Sequence, residues 1–80
     1  MTAKQMFAQK GYEQTTNDEN AVMYKKKSKD RYTEKRIVFK KKGKEFMVEW
    51  EECFTGAYAD SVDLEELKAI IKQAEELNWL

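Results

Sequence analysis

Few residues of this 80-residue chain carry the chemistry that breaks or transfers bonds. Glu45, Glu49 and Glu51 stand at odd positions of one segment. On a strand they would share a face, as the paired carboxylates of acid–base catalysis do. Cys53 is the single thiol and follows Glu51 and Glu52, whose charges work against the thiolate that a nucleophile needs. Histidine is absent, which removes the commonest general base and the commonest zinc ligand together. Three scattered glycines make no phosphate-cradling loop. Glutamates alternating with Phe46, Val48 and Trp50 are also how the solvated side of a half-buried strand reads. The sequence therefore points to a non-enzymatic protein, with no catalytic residue, no cofactor and no metal site.

Charge is the next candidate. Fifteen basic and fifteen acidic side chains cancel, yet they are sorted along the chain. Residues 25–44 hold eleven Lys/Arg against two acids, and residues 45–80 hold ten acids against two lysines. If the two blocks pair across a hairpin, cations meet anions and most of the asymmetry disappears in space. Lysines at the turns escape that pairing. Lys25, Lys26, Lys27 and Lys29 form one basic tip, and Lys41, Lys42 and Lys44 another, each a candidate for phosphate contacts. In a meander the two tips lie at opposite ends of the sheet, whereas nucleic-acid sites favour a continuous basic surface. The order helix–strands–helix also invites comparison with double-stranded-RNA-binding modules. Asp63, Glu65 and Glu66 at the start of the last helix would repel the backbone there.

The elements that must position these residues are read from period and caps. Thr2 and Gln5 form a capping box, and Gly11 supplies a left-handed stop, so a first helix is expected over residues 3–10. Asp63 and Glu66 repeat the box before a last helix. Its Leu64, Leu67, Ile70, Ile71, Ala74 and Leu77 fall in one arc of about 140°. Asn78 can take the left-handed closing position and turn Trp79 back.

Between the helices the period becomes two. A two-residue turn at Lys42-Gly43 would pair positions whose numbers sum to 85, setting Phe39 against Phe46, Ile37 against Val48 and Val38 against Met47. Residues 21–26 read as a further strand with Val22 and Tyr24 on one side, and residues 12–16 as a short first strand. The expected core face is Ile37, Phe39, Phe46, Val48 and Trp50 with Val22 and Tyr24 alongside, and both helices lie on it. Residues 55–61 read as a loop.

The result is one domain over residues 1–80. Its expected class is α+β, a three- to four-stranded antiparallel meander with an N-terminal and a C-terminal helix on one face. The opposite face of the sheet carries Met23, Val38 and Met47, a small apolar patch amid charges that a protein partner or a second copy would cover. No apolar run suits a membrane span or a signal peptide. The lone cysteine suits a reducing compartment, so a cytoplasmic location is expected.

The segments Ala3-Lys4-Gln5-Met6-Phe7, Gly11-Tyr12-Glu13 and Asn17-Asp18-Glu19, with the closing Glu65-Glu66-Leu67-Lys68-Ala69-Ile70, Gln73 and Glu76-Leu77-Asn78-Trp79, are similar to small uncharacterised proteins encoded by phages and prophages of Gram-positive bacteria. That resemblance covers both ends of the chain and departs at Asn78, where such proteins tend to have glycine. It implies an accessory gene product with a helix–meander–helix fold that binds a macromolecule, and it supplies no functional residues. Two classes of function follow: docking of a protein partner, with a homodimer as one form of it, or association with nucleic acid through the lysine tips.

Overall fold

A computed structural model describes residues 1–27, 33–52 and 62–80. The chain runs α1 (Ala3–Gln9), β1 (Glu13–Asn17), β2 (Ala21–Lys27), β3 (Thr33–Lys40), β4 (Glu45–Glu52) and α2 (Leu64–Glu76). The strands form one antiparallel meander in the order β1-β2-β3-β4. Lys29, Cys53, the loop expected at 55–61 and the side chain of Trp50 lie outside the described residues.

Both helices are closed by local chemistry at each end. Thr2 and Gln5 exchange side-chain-to-backbone hydrogen bonds at the start of α1, and Asp63 and Glu66 do the same for α2. At the other end of α1 the Tyr12 N–H donates to Phe7 O and the Gly11 N–H to Ala8 O. At the end of α2 the Trp79 N–H donates to Ala74 O and the Asn78 N–H to Glu75 O. Both are Schellman closures, with Gly11 (φ 89°) and Asn78 (φ 61°) in the left-handed position. The helices run antiparallel over the sheet. The Ala3 N–H donates to Glu76 at one end of the pair (2.8 Å), and Lys10 meets Asp63 at the other (2.8 Å).

The β3–β4 register is the expected one, with Phe39 opposite Phe46, Ile37 opposite Val48 and Val38 opposite Met47. On the outer face Arg36 reaches Glu49 at 3.1 Å. Glu34, set opposite the like-charged Glu51, takes Lys25 at 3.0 Å and Arg36 at 3.4 Å.

The turn differs from the expectation. Residues 41–44 all belong to it, and the left-handed residue is Lys44 (φ 52°), not Gly43. Four-residue loops built around a type I turn leave the sum of paired positions unchanged, which is why the register survived. Lys44→Gly should therefore raise stability by about 0.5 kcal/mol by relieving a side chain held at positive φ. At Gly43 an added methyl would meet only the flexible Glu45 side chain, at 3.0 Å, and Gly43→Ala should change stability by less than about 0.5 kcal/mol. Urea midpoints read both, and a larger loss at Gly43 than at Lys44 would contradict the assignment.

The core lies between the helices and β1–β3. Ala3, Phe7, Ile37, Phe39 and Ala69 are wholly buried, with Val22 and Tyr24 nearly so. Phe7 is its centre, stacked on Tyr24 with ring centroids 4.1 Å apart. Val48 packs half-buried against this cluster. Phe46, expected in the core, lies on the inner face but is 48% exposed, because neither helix covers the β4 side of the sheet.

Candidate functional site

Three polar side chains, Lys35 of β3 and Glu66 and Gln73 of α2, are buried where α2 meets the sheet, and of these only Glu66 is marked by a local pattern. Lys35 lies on the inner face of β3, in step with Ile37 and Phe39, and its Nζ is 2.9 Å from Glu66 Oε2. The Tyr12 hydroxyl donates to the same oxygen. Glu66 Oε1 meanwhile accepts the Asp63 N–H at 3.1 Å, completing the capping box. Further along α2 the Tyr24 hydroxyl donates to Gln73 Oε1 at 2.6 Å and accepts from Gln14 Nε2 at 3.2 Å. Lys26 stands over the Tyr12 ring, 5.5 Å from its centroid.

This network is electrostatically settled. Burial alone would raise the Glu66 carboxyl, but hydrogen bonds from Tyr12, Lys35 and the Asp63 N–H together outweigh it and hold the group below the usual carboxylate range. Burial, reinforced by the bond to Glu66, pushes the Tyr12 phenol far above its ordinary value, and burial also raises Tyr24. A lowered carboxyl contributes stability that is complete above its unfolded value, about 4.3, and is lost as pH falls through the folded one. A raised phenol contributes stability that is complete below about pH 10 and is lost as pH rises. Titration of tyrosinate absorbance in the native chain should thus leave Tyr12 silent near pH 10, with Tyr24 titrating above its ordinary value. Tyr12→Phe should not reduce the amplitude seen there; a reduced amplitude would show Tyr12 titrating as an ordinary phenol.

The polar contacts set the roll of α2. The residues it buries are Glu66, Ala69, Ile70 and Gln73, an arc turned roughly a quarter-turn from the apolar arc of the sequence, at about 100° per residue. Rolling the helix back would take the acceptors from the Tyr12 and Tyr24 hydroxyls and the Glu66 carboxylate from Lys35. Each buried polar group so deprived costs about 1–3 kcal/mol, more when charged. The return would be completing the burial of two aliphatic side chains, a fraction of about 1.5–3 kcal/mol each. The polar arrangement wins.

Its consequence is an apolar surface. Leu64 (62%), Leu67 (44%) and Ile71 (43%) are exposed on α2, where the sequence pattern places them on the sheet. Leu67 and Ile71 border a groove of about 330 Å³ between α2 and β4, walled also by Phe46, Ala74, Trp79 and Leu80. Phe39 lies at its base, and among the described residues Lys44 is the one charged side chain along it.

The residues singled out from the sequence are placed as follows. Met23, Val38 and Met47 form one row across the outer face through direct strand pairing. Val38 is nearly covered, at 8% exposed, and both methionines are half-buried. Lys25, Lys26 and Lys27 end β2 and alternate between faces, while Lys41, Lys42 and Lys44 sit in the β3–β4 turn. At about 3.3 Å per residue along β3 the two groups are roughly 20 Å apart. Glu45, Glu49 and Glu51 all lie on β4, with Glu49 engaged by Arg36. Among the described residues no three His, Cys, Asp or Glu side chains gather as a metal site, and no helix is long and apolar enough to cross a membrane.

The groove and the Lys35–Glu66–Tyr12 cluster were not legible in the sequence. Glu66 reads there as a cap residue, and its other partners lie 31 and 54 positions away. No protein-family model, no curated protein and no solved structure matches the chain.

Proposed function

We propose that this chain is a non-enzymatic domain that docks a protein partner in the groove between β4 and α2. One observation carries the reading: α2 is held by buried hydrogen bonds in a roll that keeps Leu67 and Ile71 off the sheet, beside a half-exposed Phe46. Large apolar side chains gathered around a concavity are the usual mark of an interaction surface. The outer-face row of Met23, Val38 and Met47 offers less, since its central residue is already covered. The likeness of both chain ends to small phage-encoded proteins accords with an accessory role of this kind.

Leu67→Glu tests the proposal. Residue 67 is exposed, so the variant should melt as the parent does while losing a partner that the parent recovers from a Gram-positive host lysate. Equal recovery by both proteins overturns the assignment to this groove. Light scattering across a concentration series identifies the case in which the partner is a second copy.

A further inference from the structure

The two edges of the sheet are not equivalent. β1 has five residues, and its pairing with β2 shifts between Gln14 and Thr16, leaving Thr15 as the extra residue of a bulge. Bulged, short strands are poor templates for another chain. β4 has eight residues, pairs with β3 without a shift, and is the last strand of the sheet among the described residues. An edge strand turns half of its N–H and C=O groups away from its neighbour, and Phe46, near the start of this strand, lines the apolar groove.

β4 also has a defined charge pattern. Its outer positions read Glu45, Met47, Glu49 and Glu51, and its inner ones Phe46, Val48, Trp50 and, at the strand's end, Glu52. Over residues 45–49 the strand it already pairs with is complementary on both counts. β3 sets Lys40 against Glu45 and Arg36 against Glu49, with Ile37 and Phe39 against Val48 and Phe46. A second β4 would be a poor match. Any antiparallel pairing of two β4 strands that makes two or more apolar pairs among Phe46, Val48 and Trp50 sets glutamate against glutamate, Glu45 with Glu49, Glu45 with Glu51 or Glu49 with itself, and directly opposed like charges destabilise a sheet.

We infer that the occupant of the groove is an extended segment of another protein that adds a fifth strand to β4. It would carry Lys or Arg at alternate positions toward the outer face and bulky apolar residues between them, packing on Phe46 beneath Leu67 and Ile71. Main-chain hydrogen bonds would supply affinity and the alternation would supply selectivity, as in other cases of strand addition. This rests on the docking reading above and names the chemistry of its partner.

Three synthetic peptides test it against the full chain labelled for amide NMR. The first copies residues 33–40, the second replaces its Lys and Arg by Glu, and the third permutes the same residues to a helical period. The first should bind, with shifts concentrated in the amides of residues 45–49 and 67–74. The second should bind at least about tenfold more weakly, and rising salt should weaken the first. Binding of the helical permutation in the groove overturns strand addition and leaves docking intact. So does a dimer that protects β4 amides from exchange, a second copy then being the occupant. If no peptide binds, strand addition is overturned, and docking stands or falls with the Leu67→Glu comparison.

Discussion

Glu66→Leu is expected to destabilise the chain by about 3–5 kcal/mol, the range for breaking a buried ion pair by removing one partner. Glu66 is 5% exposed and accepts from Tyr12, Lys35 and the Asp63 N–H. One substitution therefore takes an acceptor from a buried phenol, a carboxylate from a buried ammonium, and half of the α2 capping box. A domain of this size has a stability of about 4–12 kcal/mol at 0.05–0.15 kcal/mol per residue, so the loss is a large share of the whole. The triple variant Tyr12→Phe, Lys35→Met, Glu66→Leu removes the polar groups together, and apolar replacements of similar volume are often neutral or stabilising. It should recover most of the loss. Freed from its hydrogen bonds at that end, α2 should also roll toward the sheet and bury Leu67 and Ile71, closing the groove. Urea unfolding reads the first effect and amide exchange at residues 64–71 the second. A triple variant as unstable as Glu66→Leu would show that the network is needed for more than its own satisfaction.

Phe7→Ala should cost about 3–5 kcal/mol, as aromatic truncations in closed cores do. Phe7 is wholly buried, stacks on Tyr24, and meets Tyr12 and Phe39 edge-on at 5.5 and 6.2 Å. It is the main anchor of a seven-residue helix, too short to persist without tertiary contacts. Phe46→Ala deletes the same side chain from the same face of the sheet and should cost about 1 kcal/mol or less, because Phe46 is half exposed. Chemical denaturation of the pair is a direct measure of where the core ends. Equal losses would place Phe46 in the core and leave no open groove.

Signals spanning four or five residues were legible in the sequence. Thr2 with Gln5 and Asp63 with Glu66 set the helix starts, and Gly11 and Asn78 set the ends, because each device acts through backbone groups within one turn. The register of β3 on β4 was legible for a related reason: shifting the pairing by one residue would have set Phe39 and Ile37 against glutamate and methionine. Even there, the turn spans residues 41–44 and not the two expected at Lys42-Gly43, and Lys44 takes the positive φ, since glycine marks where such a conformation is easy and not where the chain needs it. The roll of α2 was out of reach. Its apolar arc argued for burying Leu67 and Ile71, and nothing adjacent in sequence announces that Tyr12, Lys35 and Tyr24 converge beneath the helix.

Amino-acid order alone thus determined the two helices and their caps, an antiparallel meander of three or four strands and the register of its β3–β4 hairpin, all of which follow from contacts close along the chain or from strict alternation. Only the tertiary structure decided which arc of α2 faces inward, and with it whether the protein has a binding groove. Hydrogen-bond partners dozens of residues apart outweigh a local hydrophobic stripe once water is excluded, and that competition can be judged only when the distant groups are in place.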